Sequence, residues 1–214
     1  KKIKKEYLPS DKFKVHIGTS FKKNGYMNYG EFLIKGVKKE EILISTYVCH
    51  PSMANNELSG PLVSLALANY FKKRKPYYGI RFLFLPETIG SIAYINKNLE
   101  NLKKKIIGGY VLTCVGDNRA YSYQFTKYMN SISDIAAVEA FKKAKIKYKS
   151  YTFLKRGSDE RQYNSPGVDL NIGSIMRSKP GTYKEYHTSL DNFNVINIEG
   201  LTGGFNISKL SIEN

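Results

Sequence analysis

The sequence predicts an α/β protein with a mixed, mainly parallel sheet that is covered by helices on both faces. Three observations support this fold class. Short apolar runs typical of buried strands alternate along the chain with amphipathic segments typical of helices. The chain has 214 residues, of which 42% are hydrophobic, so it is long enough for one well-buried core. No internal repeat or low-complexity linker divides it.

The N-terminal part of the chain differs in pattern from the rest. Residues 13–17 alternate between apolar and polar side chains, residues 23–25 form a Lys-Asn-Gly turn signal, and residues 29–35 form a second extended run. We expect a small antiparallel β appendage at residues 1–40, a fragment of a larger N-terminal region, which packs beside or over the site described below. The α/β domain follows at residues 41–214.

Strands and helices alternate through this second part. The first predicted helix has Pro61 at its start, and Ser131 or Ser133 is a suitable N-cap for the third. The predicted strands cover residues 42–48, 80–85, 106–115, 149–154 and 168–172. The predicted helices cover residues 61–73, 88–98, 131–144 and 198–210. This order is typical of a sheet whose strands run mainly in parallel.

The chain carries a formal net charge of +16, which raises the question of nucleic-acid binding. The excess is nearly all Lys and is dispersed, whereas Arg, the better partner for phosphates and base edges, is scarce. The basic runs at residues 72–75 and 103–105 fall near predicted helix ends, where they complement the helix dipole or face water. Nucleic-acid binding is therefore the least favoured function.

Other features concern the cellular location. No segment approaches the roughly 20 apolar residues that a membrane span requires. The charged start of the chain lacks the apolar core of a signal peptide, and since it also lacks an initiator Met we interpret the chain as a piece of a longer protein. Cys49 and Cys114 lie in apolar runs, which is typical of buried thiols in a reducing cytosol. We expect a cytoplasmic protein.

Polar side chains cluster just after the predicted strands. In a mainly parallel sheet, ligands bind outside the carboxyl ends of the strands. His50, Glu87 and Asp117 each follow a strand, and His187 lies in the loop after the last one. Imidazole and carboxylate groups are common zinc ligands. We therefore predict a metal site formed by His50, Glu87, Asp117 and His187, with Asp191 fixing the orientation of the His187 imidazole.

Glu87 has more than one possible role at this position. A carboxylate directly after an apolar strand is costly to bury unless it coordinates, pairs or titrates. Glu87 is either a metal ligand or the general base that takes a proton from water. Backbone N–H groups at the start of the next helix would also satisfy it. The sequence leaves these roles open.

Five short motifs occur in a fixed order along the chain. They are residues 49–52 (Cys-His-Pro-Ser), 55–60 (Asn-Asn-Glu-Leu-Ser-Gly), 86–91 (Pro-Glu-Thr-Ile-Gly-Ser), 157–160 (Gly-Ser-Asp-Glu) and 186–192 (Tyr-His-Thr-Ser-Leu-Asp-Asn). Together they resemble the aminopeptidase-like domain of proteins encoded in bacterial polysaccharide-biosynthesis loci, relatives of the two-zinc aminopeptidases and glutamate carboxypeptidases. The resemblance covers residues 41–210.

This resemblance implies a zinc site at the carboxyl edge of the sheet. His50 takes the position of the family's first His ligand, and His187 that of its last. The bridging Asp of the family falls on Asn56, and a neutral amide is a poor bridge between two cations. Glu57 would supply the missing carboxylate only from a rearranged loop.

Other positions also depart from the family pattern. The family's Glu-Glu pair is Pro86-Glu87 here, and its next Asp aligns with Thr113 rather than with Asp117. The family's Ser-Asp-His is Ser-Asp-Glu here, with Asp159 in the middle. Because these changes remove carboxylates that offset the repulsion between two cations, we expect at most one tightly held zinc ion.

Two functions agree with these residues. The first is a zinc-dependent hydrolase that cleaves an amide bond in a peptide or an amino-sugar derivative and acts in surface-polysaccharide biosynthesis. The second is a non-catalytic domain that binds a metal or ligand during glycan assembly. Family resemblance does not separate them, because one fold hosts active and inactive sites.

Overall fold

A seven-stranded sheet forms the centre of the protein in a computed structural model that describes residues 7–8, 10–155 and 157–214. The order across the sheet is β1-β3-β2-β4-β7-β5-β6. The four central strands, β3, β2, β4 and β7, run in parallel. The strands are β1 (Gly30–Ile34), β2 (Glu41–Tyr47), β3 (Gly79–Leu85), β4 (Ile106–Leu112), β5 (Ser122–Gln124), β6 (Lys149–Tyr151) and β7 (Ile172–Met176).

Helices cover both faces of this sheet. They are α1 (Ser59–Lys72), α2 (Ile89–Lys105), α3 (Ile132–Lys143), α4 (Glu160–Tyr163) and α5 (Ile198–Glu213), with a π-helical turn at Ala54–Leu58 directly before α1. Apolar side chains of α1, α3 and α5 pack with one face of the sheet. Those of α2 and α4 pack with the other face. The predicted fold class is confirmed.

The strand sequences explain why both faces are covered. In β2, the neighbouring residues Leu43 and Ile44 point into opposite core clusters, and both are fully buried. Successive side chains of a strand alternate between faces, so a continuous apolar run suits a strand buried on both sides. Ser131 is the N-cap of α3 and forms a capping box with Asp134, as its sequence position suggested.

The N-terminal segment differs from its prediction. Residues 13–17 form no strand, and the side chains of residues 10–29 are exposed. The predicted run at 29–35 does contain a strand, but this strand is β1, which pairs antiparallel with β3 at the edge of the main sheet. The alternating pattern at 13–17 predicted a strand wrongly because, within the described part of the chain, no strand pairs with it and its apolar side chains are exposed.

Two differences concern the far half of the sheet. The strand predicted at residues 168–172 begins only at Ile172, because the Ser-Pro-Gly run before it forms a turn. The short strand β5 was missed, and it pairs antiparallel with β7 and parallel with β6. Strands β5 and β6 therefore run opposite to the central four. Among the described residues, no helix has both the length and the apolar character needed to cross a lipid bilayer.

The start of α1 lies against the sheet at Gly60. A Cβ atom at this position would clash with the carbonyl oxygen of Leu112 and with Oγ1 of Thr46. The helix can approach β2 and β4 this closely only because residue 60 has no side chain. The Ser-Gly that ends the motif at residues 55–60 thus has a packing function.

We predict that Gly60→Ala lowers the free energy of unfolding by about 1–3 kcal/mol, because the added methyl group overpacks a site that has no space for it. Urea unfolding followed by circular dichroism measures this change. The matched control is Gly30→Ala in β1, where the nearest atom to a new Cβ would be Phe84 Cβ at 3.6 Å, an ordinary contact. Equal stability of the two variants would contradict the close approach of α1.

Candidate metal centre

Three loops at the carboxyl edge of the sheet meet at one place. His50 follows β2, Glu87 follows β3, and His187 lies in the segment between β7 and α5. The imidazole rings of His50 and His187 have their centroids 5.5 Å apart, with 40° between the ring planes. Two imidazoles on one tetrahedral zinc, with Zn–N bonds of about 2.0–2.1 Å, have centroids roughly 5 Å apart. The prediction that the two histidines converge is confirmed.

His50 is held by a buried carboxylate on the π-helical turn. Nδ1 of His50 lies 2.5 Å from Oε1 of Glu57, and the backbone N–H of Cys49 donates to Oε2 of the same carboxylate at 2.8 Å. The Glu57 side chain is only 6% exposed. A π-helical turn displaces the side chains after it relative to a regular helix, and such turns are frequent at functional sites. This turn is the rearranged loop that brings Glu57 to the site.

Asp191 fixes the position of this turn. Its carboxylate is fully buried and accepts the backbone N–H groups of Asn55 and Asn56 at 2.7 and 3.1 Å. Its carbonyl oxygen accepts the N–H of Ala54 at 3.0 Å. Tyr183 also donates to the carboxylate, at 3.3 Å. Asp191 therefore caps the turn that carries Glu57. The sequence predicts that it orients the His187 imidazole, but among the described residues the hydrogen bonds of its carboxylate go to the turn and to Tyr183 instead.

Glu87 lies half-buried just after the end of β3, near enough to His50 and Glu57 for their charges to act on its carboxyl. The hydroxyl of Ser158 donates to Oε1 of Glu87 at 3.1 Å. Burial is the main cause that raises the pKa of the Glu87 carboxyl, and the negative charge of Glu57 adds to it. The Ser158 hydrogen bond and the nearby imidazole of His50 act in the opposite direction. Glu87 thus has the electrostatic surroundings of a carboxylate that accepts a proton more readily than an exposed one.

Asp159 supports the turn that follows Glu87. Its Oδ1 accepts the backbone N–H of Thr88 at 2.7 Å and the hydroxyl of Ser91 at 3.0 Å. Thr88 has a φ of 64°, which is unusual for a β-branched residue and is maintained by these contacts. Burial raises the pKa of Asp159 to about 7. Asp159 is therefore a carboxylate that holds the backbone of the turn after Glu87.

His187 is exposed, and the two residues before it restrict its position. Its ring stacks on Tyr186, with centroids 3.9 Å apart and 17° between the planes. Glu185 accepts two hydrogen bonds from the guanidinium of Arg119, at 2.8 and 3.2 Å. His187 itself has a φ of 54°. A bidentate ion pair and a stacked ring limit the positions that this imidazole can reach.

Asp117 does not join the site. Its carboxylate is fully buried and accepts four hydrogen bonds, from the Asn55 amide, the Arg119 backbone, and both the backbone N–H and the hydroxyl of Ser178. Both oxygens already have their donors, so a metal ion would have to displace them. The predicted role of Asp117 as a ligand conflicts with these contacts, because closeness in sequence to the strand end did not give closeness to His50.

Neutral groups occupy two positions, Asn56 and Thr113, at which the resemblance to two-zinc aminopeptidases implies carboxylates. Oδ1 of Asn56 accepts the hydroxyl of Tyr47 at 2.8 Å, and the same hydroxyl lies 2.5 Å from Oγ1 of Thr113. The thiol of Cys114 lies 3.6 Å from the Asn56 oxygen. Burial raises the pKa of Tyr47 well above its ordinary value, so the phenol stays neutral. Nothing in the sequence indicates that Tyr47 takes part in the site, because Tyr47 lies near the end of an apolar run that is typical of a buried strand.

The remaining donors fit a zinc ion. Sγ of Cys49, a ring nitrogen of His50 and an oxygen of Glu57 all lie within 4.8 Å of one another. Cys49 is exposed, so the prediction of two buried cysteines holds only for Cys114. Burial is the main cause that raises the pKa of the Cys49 thiol to about 11. Two imidazoles with carboxylates close by are the groups found at catalytic zinc sites.

A cleft of about 460 Å³ opens beside His50 and Glu57. Its other walls are mainly apolar, with Met53 and Leu58 from the turn and Phe193 from the segment after His187. Small-molecule sites commonly combine an apolar wall with a few polar groups. The candidate centre therefore adjoins a space large enough for part of a ligand.

Comparison with known proteins agrees with this architecture. Residues 6–214 match the family described as "Domain of unknown function (DUF4910)". A Clostridium acetobutylicum protein, named for polysaccharide biosynthesis and an aminopeptidase-like domain, is 42% identical over 198 residues, which are 92% of this chain and 45% of that protein. The chain thus spans less than half of this relative.

Solved structures share the fold. A Clostridium acetobutylicum structure named as a peptidase has a TM-score of 0.82 and 42% identity, over 86% of this chain and 43% of the other. A zinc aminopeptidase from Bacillus subtilis has a TM-score of 0.71 and 20% identity, over 85% of this chain and 48% of the other. The second likeness concerns the fold alone. The chain is a member of the DUF4910 family, with the α/β fold of the zinc aminopeptidases.

Proposed function

We propose that this domain is a zinc-dependent hydrolase of amide bonds. The observation that carries the proposal is the 5.5 Å separation of the His50 and His187 ring centroids at the carboxyl edge of the sheet. This separation suits two imidazole ligands on a single ion, with carboxylates nearby to balance its charge. A bound zinc ion would supply a Lewis acid for the carbonyl group of the scissile amide.

The residues of the chain have separate tasks in this proposal. His50 and His187 hold the ion, and Glu87 accepts the proton of the attacking water and passes it to the leaving amine. Ser158 keeps one oxygen of Glu87 in place through its 3.1 Å hydrogen bond. The raised pKa of Glu87 supports this role, because a base is most effective when its pKa lies near the working pH.

The cleft and the names of the relatives support an amide as the proposed substrate class. An amide in a peptide or in an amino-sugar derivative has a carbonyl for the ion and an amine that leaves with a proton. The apolar side of the cleft, formed by Met53, Leu58 and Phe193, suits a substrate with an apolar group near the scissile bond. The name of the 42% identical relative suggests a place in surface-polysaccharide biosynthesis.

A second candidate function is metal or ligand binding without turnover. It is favoured by the neutral hydrogen-bonded network of Tyr47, Asn56 and Thr113, which includes two positions at which the resemblance implies carboxylate ligands. A domain with this change retains a pocket and two histidines but has fewer anionic groups to activate water. Turnover assays separate the two candidates.

We predict that Glu87→Gln lowers kcat for amide hydrolysis by about 10²–10⁴-fold, because a neutral amide cannot accept the proton of the attacking water. The assay uses zinc-loaded protein and a panel of aminoacyl amides and N-acyl amino sugars, with zinc content measured in parallel. Glu139→Gln in α3, where the side chain is 42% exposed, is the matched control and should leave both turnover and zinc content unchanged.

Three outcomes of this assay go against the proposal or part of it. Equal turnover by wild type and Glu87→Gln removes the general-base role. Loss of zinc from Glu87→Gln makes Glu87 a ligand. Zinc binding by wild type without turnover of any substrate supports the second candidate function.

A further prediction separates Asp117 from His187. Asp117→Asn should lower the free energy of unfolding by about 1–3 kcal/mol, because an amide group cannot accept all four buried hydrogen bonds, and should leave zinc affinity unchanged. His187→Asn should weaken zinc binding and leave the free energy of unfolding unchanged, since His187 is exposed and Asn tolerates a positive φ. Urea unfolding of metal-free protein and zinc titration measure the two effects. If Asp117→Asn folds but no longer binds zinc, Asp117 is a zinc ligand after all and the present assignment is wrong.

A further inference from the structure

One carboxylate on the π-helical turn holds two neighbouring residues at once. Oε2 of Glu57 accepts the backbone N–H of Cys49 at 2.8 Å, and Oε1 lies 2.5 Å from Nδ1 of His50. Nearly all of the Glu57 side chain is buried. These contacts fix the backbone before the imidazole and also one nitrogen of the ring itself.

We infer that Glu57 is a positioning residue that selects the tautomer of His50. Because its carboxylate can only accept hydrogen bonds, the proton of the neutral imidazole is held on Nδ1 and the lone pair on Nε2. The nitrogen with the lone pair is the one that can bind a metal. A carboxylate that accepts the second N–H of a ligating histidine also fixes the ring orientation and increases its basicity. This inference rests on the proposed zinc site.

The hydrogen-bond inventory explains why the residue has to be an acid. Cys49 presents one N–H donor and His50 a second, so both oxygens of Glu57 are needed as acceptors. A glutamine of the same shape has one oxygen and one NH₂ group. If its oxygen remains on Cys49, its NH₂ group faces Nδ1 of His50. A ring that keeps its proton on Nδ1 then has the Cys49 sulfur, 3.1 Å away, as a weak acceptor. A ring that moves the proton to Nε2 accepts a hydrogen bond from the NH₂ group instead, and the proton on Nε2 blocks metal binding.

The same geometry argues against Glu57 as a substitute for the lost bridging carboxylate. Two ligand atoms on one tetrahedral zinc, each about 2.0–2.1 Å from the ion, lie roughly 3.3 Å apart. The 2.5 Å between Oε1 of Glu57 and Nδ1 of His50 is too short for two ligands of one ion, and shorter even than an ordinary N–H···O hydrogen bond, so a proton and not a metal lies between these atoms. Glu57 is thus bound to the ligand and stands one contact away from the metal.

The test is Glu57→Gln, studied first without metal. Long-range ¹H–¹⁵N correlation spectra at alkaline pH report which ring nitrogen of each histidine is protonated. The chain has only three histidines, so variants of His16 and His187 assign the His50 signals. We expect the proton on Nδ1 in the wild type and on Nε2 in Glu57→Gln.

Zinc titration of the same proteins gives the second measurement. Glu57→Gln should bind zinc about 10–100-fold more weakly, which is the usual effect of removing the partner of a ligating histidine. Asp134→Asn is the matched control: it also neutralises a buried, multiply hydrogen-bonded carboxylate, but on α3, where it touches Ser131, Thr126 and Tyr123. It should lower stability without changing either the His50 tautomer or the zinc affinity.

Each other outcome overturns the inference. An unchanged tautomer with normal affinity means that Glu57 does not position His50. An unchanged tautomer with lost zinc affinity means that Glu57 binds the metal directly. A reversed tautomer with normal zinc affinity means that Nε2 of His50 does not bind the metal. If the wild type binds no zinc, the proposed function fails, while the spectra of the metal-free proteins still decide the tautomer.

Discussion

The contact between Asp191 and the π-helical turn is the constraint on which the candidate centre depends. The turn carries Glu57, which holds His50, and Asp191 lies on the same segment as His187. One buried carboxylate therefore sets the separation of two histidines that lie far apart in the sequence. This carboxylate accepts two backbone N–H groups of the turn, so removal of either partner would leave unpaired buried polar groups.

The candidate centre has an uncharged half and a half that contains two carboxylates. On one side, Tyr47, Asn56 and Thr113 form a neutral hydrogen-bonded group. On the other side, Glu57 and Glu87 lie near His50, and the negative charge of Glu57 adds to the burial that raises the pKa of Glu87. Two divalent cations a few ångströms apart repel strongly unless anionic ligands lie between them. The arrangement suits a single ion on the side of the histidines.

The sequence was sufficient for the parts of the site that local pattern determines. His50 and Glu87 end apolar runs, and parallel strands bring their carboxyl ends to one edge, so the two could be placed together. Asp117 was misplaced by the same rule, because a loop after a strand can turn its carboxylate inward. The position of Asp191 four residues after His187 implied contact only if the segment were helical, and it is not. The reach of Glu57 depends on a π-helical turn, which leaves no periodic pattern in the sequence.

X-ray diffraction from zinc-soaked crystals at the zinc absorption edge tests the central claim most directly. The account predicts one anomalous peak per chain, within bonding distance of a nitrogen of both His50 and His187, with Glu57 in contact with His50 and not with the ion. Two peaks a few ångströms apart, with one next to Asn56 and Thr113, would contradict it. So would a single peak bound by Asp117.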